Sequence, residues 1–232
     1  VRVHLIIPVV NEREHLQHLL PYLAGELAGR GDITVADGGS TDGTREWLEA
    51  ARTQVQYLPC RERGRAKQMN EAAALSPNRY DILYFVHADT RPPTGFYDDI
   101  AYSVANGFPV GCYRSWLEPR HPLLVVNSFF TRFDLTFCRG GDQSLYLTRA
   151  VWNEVGGFDG EMDIMEDYDI IRRIRQRHAF RIMPRSVLIS SRKYERNGWL
   201  RVQLANWKIV RMYRRGAGQR EMVAAYRRLL RP

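Results

Sequence analysis

The sequence predicts an α/β fold: a mostly parallel central sheet flanked by helices, with a helical appendage at the carboxyl end. Three observations predict it. Short apolar, β-branched runs alternate with stretches of helical periodicity from Val3 to Asp89. Strands that alternate with helices in this way pair in parallel through right-handed crossovers. After Ser191 the pattern is helical and the charge strongly basic. The expected organisation is one domain over residues 1–191, in two halves (1–91 and 92–191), followed by a helical segment over 192–232.

The first element, Val3–Val9, is a continuous apolar run, the mark of a strand buried on both faces. Asn11 follows as a helix N-cap, and Leu16, Leu19, Leu20 and Leu23 recur at helical spacing. Residues 33–37 form a second strand, closed by Asp37-Gly38-Gly39-Ser40-Thr41-Asp42-Gly43-Thr44. The glycines let a ligand approach the backbone, and Thr41 or Asp42 caps the helix that follows. Residues 55–58 are a third strand, and the segment 63–70 opens a third helix. The fourth strand, 82–86, runs out into His87-Ala88-Asp89-Thr90. If it continues, pleat alternation sets Phe85, His87 and Asp89 on one side.

The pattern then changes. A helix is expected over 96–104 and an antiparallel strand over 108–117. The apolar and aromatic stretch 123–137 is a core helix, a dimer face or a surface groove, with the core as the first expectation. Strands follow over 144–148 and 181–190, and helices over 199–215 and 221–230.

Asn11-Glu12, Asp37 and Asp89 each stand where a strand ends. In a parallel sheet those ends share one edge, and ligands of open α/β sheets bind just beyond it. Acids scattered by chance would not share an edge. Asp37 is placed to accept a hydrogen bond from a ligand N–H. The net charge of +8 points to an anionic partner. Arg192 and Lys193 follow the last strand and are placed to close over an anionic ligand, the diphosphate if the motifs below are read as a family set. The three cysteines, Cys60, Cys112 and Cys138, are widely spaced and form no Cys-x-x-Cys, which excludes a zinc knuckle and fits a reducing cytoplasm. No leader is evident and no apolar run reaches the ~18 residues of a membrane span.

A helix is expected over 164–178, with Ile164, Tyr168, Ile171, Ile174 and His178 in one stripe. Asp167 falls in that stripe, whereas Glu166 and Asp169 fall away from it. Asp167 is therefore the inward carboxylate, a structural cap or a general base. Glu166 is expected to be solvated or capping, and Asp163 to be the N-cap. In the helix 199–215, Trp199, Val202, Ile209 and Tyr213 make the apolar face, and Arg201, Lys208 and Arg215 the other. That basic face is read as solvated, with peripheral contact at the inner face of a membrane as the alternative.

Taken in order, Ile6-Ile7-Pro8-Val9-Val10-Asn11-Glu12, the Asp37 to Thr44 loop, His87-Ala88-Asp89 and Met165-Glu166-Asp167 resemble the motifs of family 2 glycosyltransferases with the GT-A fold. The arginine-rich 63–70 segment and Gly141-Asp142-Gln143 resemble a small soluble bacterial branch of that family. The resemblance implies transfer of a sugar, with inversion, from a nucleoside diphosphate sugar to a hydroxyl acceptor, with 1–91 as the nucleotide-sugar-binding half and 92–191 as the acceptor-binding half. A UDP-sugar is the first expectation and a GDP-sugar the second. It further implies that Pro8, Glu12 and Asp37 hold the nucleoside, with Arg65 and Lys67 near the base or phosphates. His87, standing where the family has the first acid of its Asp-x-Asp motif, falls in the nucleotide site. Asp89 matches the last acid and would bind Mn2+ or Mg2+. Asp167 matches the base. Gly141, Asp142, Gln143 and Glu166 would meet the sugar or the acceptor. The Gln-x-x-Arg-Trp motif and membrane helices of processive polysaccharide synthases are missing, which argues against chain synthesis.

Two other classes compete. A nucleotidyltransferase would need a glycine- and arginine-rich loop directly after the first strand, where Pro8-Val9-Val10-Asn11-Glu12 stands. A non-catalytic anion binder would have no use for both Asp89 and Asp167 in its cleft. No nucleic acid partner is expected.

Overall fold

The computed structural model describes residues 1–50, 55–75, 78–118, 122–134 and 143–231. The leading apolar run forms β1 (Val3–Val9), buried along its whole length. The helices α1 (Arg13–Leu27), α2 (Thr44–Ala50) and α3 (Arg65–Ala73) alternate with β2 (Gly31–Asp37), β3 (Val55–Pro59) and β4 (Ile82–Phe85). β1 pairs in parallel with β2 and β4, and β2 in parallel with β3. Pro8 sits in this central strand at no cost to the ladder. Ile6 O accepts from Val86 N, so Pro8, two residues on, presents the same edge as Ile6. The β1–β4 register ends at Ile6 and Phe85, so no ladder bond is lost for want of the Pro8 N–H.

The chain continues through β5 (Thr90–Arg91), α4 (Phe96–Ala105), β6 (Val110–Glu118), α5 (Pro122–Phe130), β7 (Leu145–Thr148), α6 (Arg149–Val155), α7 (Glu166–Ile174), β8 (Phe180–Ser190), α8 (Arg192–Asn197), α9 (Trp199–Arg214) and α10 (Gln219–Leu229). The sheet order is β3-β2-β1-β4-β7-β6-β8-β5. β7 lies antiparallel between β4 and β6. β6 is antiparallel only on that side and pairs in parallel with β8, which corrects the plain antiparallel strand expected there.

Pleat alternation divides the core. Val3, Leu5, Ile7 and Val9 pack with Leu16, Leu20 and Leu23 of α1 and Ile100 of α4. Ile6, Leu83 and Phe85 pack on the other face with Met69 of α3, Trp152 of α6 and Ile170 and Ile174 of α7. The described part of the apolar stretch 123–137 is not core. α5 buries Leu124 and Ser128, while Leu123, Val125, Val126, Phe129, Phe130 and Phe133 stay exposed. The C-terminal helices pack against the residues before α7, with Ile209, Met222 and Ala225 meeting Ile164 and Met165.

Candidate active site

The ends of β1 and β2 are tied together by side chains. Asp37 is 2% exposed. Its Oδ1 accepts from Gly39 N (3.1 Å), Ser40 N (2.9 Å) and Ser40 Oγ (2.7 Å), and its Oδ2 accepts from Tyr57 OH (3.0 Å). Burial, and then the Asp37 carboxylate itself, push the Tyr57 phenol up to about 12, so it stays a donor. Asn11 does not cap α1. It adopts a left-handed conformation, φ 59°, and its Oδ1 accepts from Thr41 N at 2.7 Å while its own N–H donates to Ser40 Oγ. Asp42 serves two helices, accepting from Arg13 N and from Thr44 N. Gln68 fastens the same edge from beneath. It is 2% exposed, and its Nε2 donates to Val9 O (2.9 Å) and Ala36 O (2.7 Å). A Cβ on Gly38 would lie 2.9 Å from Gln68 Cδ, so this staple requires glycine there.

β4 stops at Phe85 and does not run on to Asp89. Thr90 N donates to His87 O, closing a turn, so alternation does not extend to His87 and Asp89. Ser190 N donates to Asp89 O, which ties the turn to the end of β8. There Glu12, Asp89, Ser190, Arg192, Lys193 and Arg196 line a cleft of about 350 Å³. Arg192 Nη2 lies 3.8 Å from Glu12 Oε2, which also meets His15 Nδ1 at 2.9 Å. The structure thus places Arg192 and Lys193 in one cleft with Asp89 and Glu12. Among the described residues no three His, Cys, Asp or Glu side chains gather to hold a metal by themselves. One cleft carboxylate, Asp89, fits Mg2+ or Mn2+ arriving with diphosphate oxygens and water, since these ions are held by few carboxylates plus phosphates.

The third group forms at the start of α7, and here the expected division of the acids fails. Glu166 is 1% exposed, Asp167 8% and Asp169 5%. Glu166 is not solvated, because α7 begins at Glu166 rather than two residues earlier, and its first turn is enclosed by α3 and the C-terminal helices. Met165 precedes it in a left-handed conformation, φ 69°. Asp163 is not the cap. Its N–H and that of Ile164 donate to Gln219 Oε1 of α10, each at 3.2 Å.

The three buried carboxylates differ in company. Asp169 accepts from Arg172 (2.9 Å), Arg173 (2.7 Å) and Tyr213 (2.9 Å). Burial raises its pKa, but those hydrogen bonds outweigh it and hold the carboxyl below the usual range. Arg65 Nε lies 2.8 Å from Glu166 Oε1, and His87 is near enough for its charge to act on the same carboxyl. Burial pushes Glu166 up to about 7, with Asp167 adding to the shift and Arg65 and His87 opposing it. Asp167 accepts no hydrogen bond and makes no ion pair among the described residues.

Of the other expected site residues, Pro8 is buried in β1. Lys67 is paired with Glu62 on the surface. Gln143 is 4% exposed, and Cys112 Sγ donates to its Oε1 at 3.5 Å. Gly141 and Asp142 lie outside the described residues. Sequence reasoning missed Gln68, Tyr57, Gln219 and Asn70. Asn70 Nδ2 donates to Phe158 O and its Oδ1 accepts from Phe158 N, joining α3 to the turn after α6. Only Gln68 and Asn70 left a signal, as polar residues on the apolar face of a short helix.

The Glu166 shift carries a pH prediction. Its folded value of about 7 lies above its ordinary 4.5. Between those values the unfolded chain gives up this proton first, so the group's contribution to stability falls as pH rises and stays low above 7. Glu166→Gln removes that loss. Its melting temperature is expected to gain on the wild type from pH 5 to about 8. Melting curves that stay parallel across this range would contradict the assignment.

This geometry has known counterparts. The family model for Glycosyl transferase family 2 matches residues 4–119, half of the chain. Succinoglycan biosynthesis protein ExoA of Rhizobium meliloti (strain 1021) is 31% identical over 96 residues, covering 40% of this chain and 29% of that protein. Among solved structures, the mannosyltransferase PcManGT from Pyrobaculum calidifontis, in complex with GDP-Man and Mn2+, superposes with a TM-score of 0.68 at 18% identity, covering 98% of this chain and 69% of that one. S. aureus TarS in complex with UDP-GlcNAc superposes with a TM-score of 0.65 at 16% identity, covering 82% and 58%. The chain thus spans less than a third of the curated relative it matches, while the solved structures share its fold, a GT-A sheet with helices on both faces. The match over half its length, on the very segment that builds the strand-end edge, establishes that this chain belongs to glycosyl transferase family 2.

Proposed function

We propose that the chain moves a sugar from a nucleoside diphosphate sugar to a hydroxyl acceptor by a single inverting displacement, with Asp167 as general base. The observation that carries this reading is the contrast at the start of α7. Asp169 is paired three times and Glu166, whose buried oxygens accept no hydrogen bond, stands in ion-pair range of Arg65, while Asp167, 8% exposed, makes neither a hydrogen bond nor an ion pair among the described residues. A carboxylate left so in the fold calls for a ligand or a proton to take. The complexes of the structural relatives with UDP-GlcNAc and with GDP-Man and Mn2+ support a nucleotide-sugar donor.

In this reading the nucleoside lies along the ends of β1 and β2, against Pro8, Glu12 and Asp37. Asp37 Oδ2 keeps a lone pair beyond the one Tyr57 uses, so it can still accept from a base N–H. Arg192 and Lys193 neutralise the diphosphate from across the cleft. His87 and Arg65 set the charge around Glu166, which borders the sugar; Gly141, Asp142 and Gln143 are proposed on the acceptor side. Lys67 reaches the phosphates only by leaving Glu62. A divalent ion on Asp89 would stabilise the charge that develops on the leaving diphosphate. That leaving group is a weak base, so no protonating acid is needed. One base suffices, taking the acceptor proton as the oxygen attacks.

A panel of UDP- and GDP-sugars, incubated with the protein and Mn2+, tests the reading through release of the nucleoside diphosphate. Release above a no-enzyme control is expected with at least one donor, water serving as acceptor. Binding of nucleotide with no release from any donor, even with added acceptor extracts, favours the anion-binding alternative.

A further inference from the structure

α9 is apolar on two opposite sides. Val202, Ala205 and Ile209 are buried against the neighbouring helices. Leu200, Leu204 and Trp207, at the i, i+4, i+7 spacing of one stripe, are 63%, 56% and 60% exposed. At 100° per residue this second stripe lies opposite the first. Exposed apolar residues arranged as a stripe, unlike single ones, mark an interaction surface. A second exposed apolar stripe lies on α5, which is hydrogen-bonded to the start of α9. Trp199 Nε1 donates to Asn127 Oδ1 of α5 at 3.2 Å, and Asn127 Nδ2 donates to Tyr194 OH at 3.2 Å. On α5, Leu123, Val126 and Phe130 recur at i, i+3, i+7 and are all exposed, with Phe129 and Phe133 beside them.

The charge around the stripe selects its occupant. α9 contains no acidic residue, and Arg201, Lys208 and Arg211 border the exposed face, with Arg215 just beyond its end. Arg211 Cζ stands 5.2 Å from the Trp207 ring centre. Gln203 lines the groove beside Trp207 and Arg211, and its Nε2 is buried without a hydrogen-bond acceptor among the described residues. Two copies of this chain meeting on α9 would set arginine against arginine, whereas anionic headgroups supply the counter-charge. We propose that the outer stripe of α9, together with that of α5, seats the protein on an anionic bilayer. Leu200, Leu204 and Trp207 enter the acyl boundary and the basic residues meet lipid phosphates, the arrangement of an interfacial helix. Through Tyr213, which donates to Asp169, the docked helix also touches the helix that carries Asp167. The docking does not depend on the transferase reading, and its failure would leave that reading intact.

Flotation with two vesicle types tests it: phosphatidylcholine alone, and phosphatidylcholine mixed with phosphatidylglycerol. The wild type is expected to float with the anionic vesicles at low salt, at least roughly tenfold more than with neutral ones, and to be released by high salt. The Leu204→Glu/Trp207→Glu variant is expected to stay at the bottom while its melting temperature and nucleotide affinity match the wild type. A Lys208→Ala/Arg211→Ala variant is expected to lose most of the binding to anionic vesicles. Wild type that does not float with either vesicle type, or a double-glutamate variant that floats as well as the wild type, overturns the proposal. So does sedimentation as a dimer that the double-glutamate variant dissolves, without flotation, since the face then joins two copies.

Discussion

Asp167→Asn is expected to lower sugar transfer by roughly 10²–10⁴, the usual worth of a positioned general base, while donor binding stays nearly unchanged. The substitution keeps the shape and the buried position, 8% exposed, but removes the capacity to take a proton. It costs no hydrogen bond, since none is made to this side chain among the described residues. Stability is therefore expected to hold or rise slightly, because a buried negative charge beside Glu166 has been removed. Asp169→Asn makes the contrast. It breaks contacts with Arg172, Arg173 and Tyr213 and is expected to lower the melting temperature first. Melting temperature, donor affinity and turnover measured on one preparation separate the cases. A folded Asp167→Asn protein with full turnover removes the residue from the chemistry.

Asp89→Ala is expected to have the next largest effect. In the wild type, manganese should tighten nucleoside diphosphate binding relative to chelator, and in the variant the two titrations should coincide. Turnover should fall by about 10²-fold or more, the scale of losing a charge stabiliser for the leaving group. The turn itself should survive, because its ties run through the backbone, from Thr90 N to His87 O and from Ser190 N to Asp89 O. Calorimetry with and without manganese checks this independently of any acceptor. Equal manganese enhancement in both proteins would place the ion elsewhere.

The parallel half of the fold was legible because strand and helix periods alternate cleanly from Val3 to Phe85, and the convergence of Glu12, Asp37 and Asp89 on one edge follows from that order. The second half was less legible. β6 pairs with β7 on one side and with the later β8 on the other, and non-local pairing of this kind leaves no local pattern. The acids of α7 show the limit of a helical stripe. The 100° rule separated Asp167 from Glu166 and Asp169, yet all three are buried, because α3 covers one side of the first turn and the C-terminal helices another. Periodicity reports one buried face, and a helix enclosed on several sides has no free face to report. For α5 the general rule that apolar residues lie inside favoured the core, yet its apolar residues are mostly outside, and for α9 the helical rule saw only the inner stripe. The roles of Gln68 and Asn11 escaped for another reason. Their work is hydrogen bonding between loops that are distant in sequence.

The central claim is a single displacement in which Asp167 removes a proton and no enzyme group attacks the sugar. The most direct test is the configuration of the first sugar released when water replaces the acceptor. Proton NMR, recorded within the first minutes of turnover of an α-linked nucleoside diphosphate sugar, resolves the two anomers before they equilibrate. The account predicts that the β-anomer appears first and the α-anomer grows in only by mutarotation. The α-anomer appearing first would mean net retention, and with it a mechanism in which Asp167 is not the sole base.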